Sequence, residues 1–243
     1  KREDYRSISV KLADFRYNKL PTFNASSVLN AKTARVTGDA SLVSARVVDP
    51  SLAQGSMTVK VLELASSATI HTTTGLVEEG HSKEDLESKT LQELGITLGS
   101  KIQINGKDID VDLANDTIQD LVNNINKSDA GVTAFFDYES GKLSITNKET
   151  GAGSVTVSDD LKEAFNLYQS IDGKDAEVEI NGMRITRDTN KFTINGIELT
   201  LNAKSDTSTA MITPVTDTDK IVSSIKSFIN AYNELISAIN GEL

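Results

Sequence analysis

The sequence has no cysteine and no tryptophan, only three prolines, and aromatic residues at just 5% of its 243 positions. Without cysteine there is no disulfide, no iron–sulfur cluster and no thiolate zinc site. The two histidines, His71 and His81, stand alone, His71 in a threonine-rich run and His81 after a glycine. Both are expected to be exposed, and no metal or cofactor is expected. Basic residues are also scarce, with 25 Lys and Arg against 35 Asp and Glu and a net charge of −10. A phosphate backbone requires cationic side chains, so nucleic acid is excluded as a partner. No apolar run approaches the ~20 residues of a membrane span, which excludes membrane insertion. The chain opens Lys1-Arg2-Glu3-Asp4 with no apolar stretch behind it, so no cleavable signal peptide is read. Three readings remain: a cytosolic protein, export without a cleaved leader, or an internal fragment.

What is present suffices for folded cores. At 38% hydrophobic and 25% charged residues, the chain is not a disordered polyelectrolyte. The composition favours several small cores over one large one.

The strongest periodicity lies at the C-terminal end. Ile221, Ile225, Phe228, Tyr232, Leu235 and Ile239 form a heptad seam, widened by Ile229 and Ile236. Thr216 with Asp219 reads as a capping box, and Pro214 just upstream as punctuation of the helix entry. At the other end Tyr5, Ile8, Leu12 and Phe15 make a shorter seam that fades around Asn18 to Pro21. Matching seams at opposite termini predict antiparallel packing of the two helices. Both seams reach the chain ends, which predicts helices that continue beyond them. Neither is sustained for enough heptads to form an independent coiled coil.

Between the ends the period is mostly 2. Met57, Val59 and Val61 alternate with polar residues, as do Val132, Ala134 and Phe136 ahead of a turn centred on Gly141. An apolar-x-Ile-Asn-Gly repeat occurs at 102–109, 178–185 and 192–199. Asn-Gly between alternating apolar residues predicts a hairpin with a type I′ turn, which places both turn residues at positive φ. The expected turns are Asn105-Gly106, Asn181-Gly182 and Asn195-Gly196. In this register Ile104 faces Lys107 and Ile102 faces Ile109, while Glu179 lies opposite Arg184 as a favourable polar pair. One helix interrupts the region: Asp116 with Gln119 marks its start, and Ile118, Leu121, Val122 and Ile125 form its apolar face. A shorter helix is expected from about Asp159 to Leu167.

No constellation carries chemistry. Counting an EF-hand loop from Asp108 puts Leu113 where glycine is needed and Gln119 where glutamate is needed. Asp108, Asp110 and Asp112 are read as a solvated strand face. Gly151-x-Gly153 lacks the third glycine of a dinucleotide loop, and no Gly-x-Ser-x-Gly elbow exists. No catalytic residue is assigned and an enzyme is not expected.

The segment from about 98 to 158 resembles the flagellin IN motif. It carries Ile104-Asn105-Gly106, a helix from Asp116 to Lys127, Ala130-Gly131-Val132-Thr133-Ala134, Leu143-Ser144-Ile145-Thr146 and a closing Lys148-Glu149-Thr150-Gly151-Ala152-Gly153. Four other segments are similar to the filament-capping, or hook-associated protein 2, family. They are Gly55-Ser56-Met57-Thr58-Val59-Lys60-Val61 with Leu64-Ala65, Asp175-Ala176-Glu177-Val178-Glu179-Ile180-Asn181-Gly182, Phe228-Ile229-Asn230-Ala231-Tyr232-Asn233-Glu234-Leu235, and the lead-in Thr22-Phe23-Asn24-Ala25. The order of these pieces covers nearly the whole chain. The IN unit alone also admits a flagellin.

The resemblance implies an α+β, multi-domain fold. Two β-rich, hairpin-built domains are inserted one within the other on a helical leg formed by both chain ends. It places the leg at 1–45 and 216–243, the second domain at 46–88 and 175–215, and the outer domain at 89–174. The family's terminal coiled-coil segments are missing, so a fragment is expected. The implied function is a structural cap at the distal end of the bacterial flagellar filament, which retains exported flagellin and promotes its folding and insertion. The implied partners are other copies in a ring, flagellin, junction proteins of the hook and filament, and host mucin or glycans. The implied location is the extracellular flagellum tip, reached without a cleaved signal peptide. A flagellin-like filament subunit and a glycan-recognising surface adhesin stand as the alternatives.

Overall fold

The structure is a computed structural model that describes residues 2–24 and 26–242. Lys1 and Leu243 at the ends of the expected leg, and Ala25 of the expected lead-in, lie outside the described residues.

Helix α1 (Arg2–Asp14) runs into a π-helical turn (Phe15–Lys19) and two short helices, α2 (Leu20–Asn24) and α3 (Ser26–Leu29). Four strands follow, β1 (Lys32–Gly38), β2 (Val43–Val47), β3 (Met57–Glu63) and β4 (Thr69–His71), and then α4 (Lys83–Ser88). The hairpin β5 (Lys101–Ile104) and β6 (Lys107–Asp110) leads to α5 (Ile118–Lys127), and the hairpin β7 (Val132–Asp137) and β8 (Lys142–Asn147) leads to α6 (Asp159–Ala164). Next come β9 (Gln169–Ile171), β10 (Ala176–Ile180), β11 (Met183–Arg187), β12 (Lys191–Ile194) and β13 (Ile197–Leu201). The chain closes with β14 (Ala210–Thr216) and the long helix α7 (Thr218–Glu242). The fold is α+β and multi-domain.

The chain forms two compact units, one nested in the sequence of the other. Unit 1 holds residues 1–60, 180–182 and 191–243; unit 2 holds 61–179 and 183–190. The helical start ends at Leu29 rather than extending to 45, because β1 and β2 occupy 32–47. The cause is local: Lys32-Thr33-Ala34-Arg35-Val36-Thr37 alternates in burial and is rich in β-branched residues.

In unit 1, β1 pairs antiparallel along all of β14, from Lys32 opposite Thr216 to Gly38 opposite Ala210. The start of β3 pairs with β14 only over Ala210–Ile212. Pro214 is therefore a strand residue, not a helix punctuator. It lies opposite Ala34 beyond the reach of β3, where a missing N–H costs no ladder bond. Thr216 is likewise held in β1–β14, so the cap of α7 falls to Asp217, whose carboxylate accepts from the Lys220 N–H at 2.9 Å. A second sheet, ordered β12-β13-β2, buries Val43, Phe192, Ile197, Leu199 and Leu201 on one face. Its other face carries Glu198 between Arg46 (3.1 Å) and Lys191 (3.4 Å).

Unit 2 is built around one hydrophobic core. A four-stranded sheet ordered β7-β8-β4-β9 turns Val132, Ala134, Phe136, Leu143, Ile145 and Ile70 inward. Helix α5 contributes Ile118, Leu121, Val122 and Ile125 to the same core, its 3.6-residue period meeting the sheet's period of 2. Edge strand β7 is covered where Asn126 acts as a strand surrogate, accepting from the Ala134 N–H at 2.7 Å and donating to the Ala134 carbonyl at 3.0 Å.

Helix α5 starts one residue later than the sequence suggests. Its N-cap is Thr117, in a reciprocal capping box with Asp120. Asp116 is taken elsewhere, accepting from the Asp112 N–H at 2.9 Å. Thr117→Ala is expected to cost unit 2 about 1 kcal/mol, read as a lower urea midpoint at unchanged slope. Hydrogen bonds from the Thr117 hydroxyl and backbone hold Asp120 below the ordinary carboxylate range, and the Ser140 hydroxyl does the same for Asp137. A carboxylate whose folded-state pKa is depressed stabilises above its unfolded pKa. That contribution is lost as pH falls through the folded-state value. Urea midpoints for unit 2 should be flat from neutrality down to about pH 5 and fall below about pH 4.

Three expectations on polar residues change. Arg184 pairs with Glu177 at 3.2 Å, not with Glu179; the long side chain reaches the diagonal neighbour on the same face. His71 and His81 are half-buried rather than exposed. His71 is flanked by Ser144 of β8 and Gln169 of β9, and the His81 N–H is held by the Leu76 carbonyl. Asp108 and Asp110 are exposed strand residues, with Lys101 at 3.9 and 3.8 Å. Asp112 is exposed but lies past the end of β6, in a turn where it accepts from the Ala114 N–H.

Candidate assembly surface

Unit 1 brings the two terminal seams together. Lys11 shares a groove of about 410 Å³ with Glu234 and Leu235, and further along Val28 shares a groove with Ser223 and Ser224. The two stretches therefore run antiparallel. At their centre Phe15 packs on Phe228 with ring centroids 5.6 Å apart and on Tyr232 at 6.2 Å. Leu235 is the one buried member of the seam, at 8% exposure. Ile8, Phe15, Ile221, Phe228 and Ile239 are half-buried. Leu12, Ile225 and Tyr232 are exposed, and Tyr5 is 70% exposed.

Sequence reasoning missed Phe23 as a seam member. It stacks on Phe228 at 4.4 Å, the tightest ring contact in the cluster. A strict heptad continued from Phe15 passes through Lys19 and Thr22, and that phase hides Phe23.

A second stripe runs along α7. Val222, Ile225, Ile229, Tyr232 and Ile236 step by 3, 4, 3 and 4, and each is 38–49% exposed. Helix α7 thus has more apolar surface than α1 and α2 cover, arranged at the spacing of a helix-packing face.

The three Asn-Gly turns have the backbone that type I′ requires. Asn105, Asn181 and Asn195 have φ of 49°, 51° and 48°, and Gly106, Gly182 and Gly196 have 73°, 83° and 72°. Their side chains differ. Asn105 is an internal tie: its amide donates to the Ala130 carbonyl (3.1 Å) and to Asn147 Oδ1 (2.9 Å), and its oxygen accepts from the Thr156 N–H (3.0 Å). One turn residue thus joins the β5–β6 hairpin to the loop after α5, the end of β8 and the 156 segment, all within unit 2. Asn181 accepts from the Thr58 N–H at 2.8 Å, fixing the start of β3. Gly196 supports its neighbours through its carbonyl, which accepts from the N–H groups of Val48 and Asp49.

Among the described residues no group of three or more His, Asp or Glu is placed to hold a metal ion. No helix there is long and apolar enough to cross a membrane.

The class defined by these features is a multi-domain α+β protein in which one β-rich unit is nested, in sequence, within a unit that pairs helices from both chain ends. Comparison with known proteins agrees. Residues 173–243 match the family model for the flagellar hook-associated protein 2 C-terminus, and residues 101–149 match that for the flagellin hook IN motif. The flagellar hook-associated protein 2 of Thermotoga maritima is 31% identical over 172 residues, 64% of this chain and 28% of the relative. That of Escherichia coli K12 is 28% identical over 251 residues, 94% of this chain and 49% of the relative. The fold matches the flagellar cap protein FliD D1-D2-D3 domains from Escherichia coli with a TM-score of 0.73 at 24% identity, covering 100% of this chain and 72% of that one. The chain is thus similar to flagellar hook-associated protein 2 over most of its length. It spans about a quarter to a half of the length of these curated relatives.

Proposed function

We propose that this chain is the leg-and-plate part of a structural, non-catalytic cap at the distal end of the bacterial flagellar filament. In this reading several copies form a ring that retains exported flagellin and promotes its folding and insertion, outside the cell. Flagellin, the other copies and the junction proteins of hook and filament are its partners. The three-part division, with a leg, a second domain at 46–88 and 175–215 and an outer domain at 89–174, belongs to the same proposal, as does export without a cleaved leader.

The observation that carries the reading is the exposed apolar stripe of α7, a helix inside the stretch 173–243 that matches the flagellar hook-associated protein 2 C-terminus. An unpartnered heptad face in an acidic protein is suited to contacts between subunits, while the charge keeps the β-rich parts soluble. The flagellin-subunit and adhesin alternatives are not favoured by these matches. The test is complementation: the full-length gene should restore filament growth in a strain lacking its cap, and continued absence of filaments rejects the proposal.

A further inference from the structure

We infer that the π turn Phe15–Lys19 is a register device: by taking up one extra residue it carries the apolar seam past Pro21 and delivers Leu20 and Phe23 onto α7. Tyr5, Ile8, Leu12 and Phe15 step by 3, 4 and 3. The next heptad positions would be 19 and 22, which hold Lys19 and Thr22, and both are exposed. One residue further on, Leu20 and Phe23 are half-buried. The seam therefore continues, displaced by one position.

Helix geometry accounts for the displacement. In an unbroken α-helix the eight residues from Phe15 to Phe23 leave the two side chains about 80° apart around the axis. A π turn absorbs one residue, so the eight act as seven and the offset falls to about 20°. The turn is seen directly in the Leu20 N–H, which bonds to the Phe15 carbonyl five residues back. As a result Phe15 and Phe23 both reach Phe228, at 5.6 and 4.4 Å.

Pro21 gives the turn its place. Inside an α-helix its ring would clash with the Tyr17 carbonyl and no N–H would answer it. After the π turn Pro21 falls in the first turn of α2, where proline is tolerated. Two local bonds brace the irregular stretch: the Asn18 amide donates to Asp14 (2.6 Å) and the Thr22 hydroxyl to the Asn18 carbonyl (2.7 Å). Tyr17 is exposed, with Arg16 over its ring, so a residue can be removed there without emptying the seam.

The experiment uses two single-residue deletions made in the whole chain carrying Pro21→Ala. Deleting Tyr17 removes the extra residue and restores an unbroken heptad through Phe15, Leu20 and Phe23. Deleting Ser227, an exposed residue of α7, shifts Ile221 and Ile225 out of phase with Phe228. Thermal melts and the near-ultraviolet dichroism of the Phe15, Phe23, Phe228 and Tyr232 cluster are read together. The expected result is a melting midpoint and aromatic signal at or above the parent's for the Tyr17 deletion, and loss of both for the Ser227 deletion. If the Tyr17 deletion loses the midpoint and aromatic signal as the Ser227 deletion does, the register role is overturned.

Discussion

Asn105→Ala should destabilise unit 2 by about 3 kcal/mol, while Asn195→Ala at the equivalent turn position should cost no more than about 1 kcal/mol. Both substitutions replace asparagine, which tolerates positive φ, by alanine, which does so less readily, so the turn penalty is shared. The difference lies in what the side chain holds. Asn105 satisfies the Ala130 carbonyl, the Asn147 amide oxygen and the Thr156 N–H. Its removal leaves the two partly buried groups, the Ala130 carbonyl and the Asn147 amide, without this partner, each costing on the order of 1 kcal/mol or more, and frees the exposed Thr156 N–H to water. Asn195 is exposed and makes no such side-chain bond among the described residues. Urea unfolding of the two variants reads the contrast. Equal losses would mean that Asn105 acts only through its backbone conformation.

Ile229→Lys with Ile236→Lys should weaken self-association of the full-length protein by about 100-fold or more, since lysines would be desolvated against an apolar face. Both residues lie on the exposed stripe of α7, and neither takes part in the aromatic contacts of the seam. Stability of the isolated chain should therefore change by no more than about 0.5 kcal/mol. Sedimentation velocity across a concentration series, with a thermal melt as the folding control, separates the two effects. Unaltered association in a folded double variant would remove the stripe from the assembly surface.

Local rules located β3, the β7–β8 hairpin and the three Asn-Gly turns, but not β1, β2 or β14, whose residues read locally as leg or as the entry of α7. The alternation at 57–61 and 132–136 and the three Asn-Gly pairs each contain their own cause within a few residues. Helix starts were legible only to within a residue. Asp116 and Thr117 are both good caps, as are Thr216 and Asp217, and competing partners outside the helix decide between them. Asp116 is drawn to the Asp112 N–H, and Thr216 is committed to pairing with Lys32. Pro214 misled for the same reason, since a proline next to a helix also suits a strand position that lacks a neighbour on one side. The side-chain role of Asn105 lay beyond local reading, because its partners are 25 to 51 residues away. The candidate surface was half legible: periodicity gave the seam, but a one-residue skip at the π turn removed Phe23 from it.

A cap that assembles through the leg must fail in one particular way when the leg stripe is charged. The decisive measurement is the partition of flagellin between filaments and culture medium in a strain lacking its cap. Wild-type full-length protein is compared there with Ile229→Lys/Ile236→Lys, once both are shown to be exported. The wild type should hold flagellin in filaments, and the variant should let it escape into the medium. Filaments as long with the variant as with the wild type, and no extra flagellin in the medium, would contradict the account.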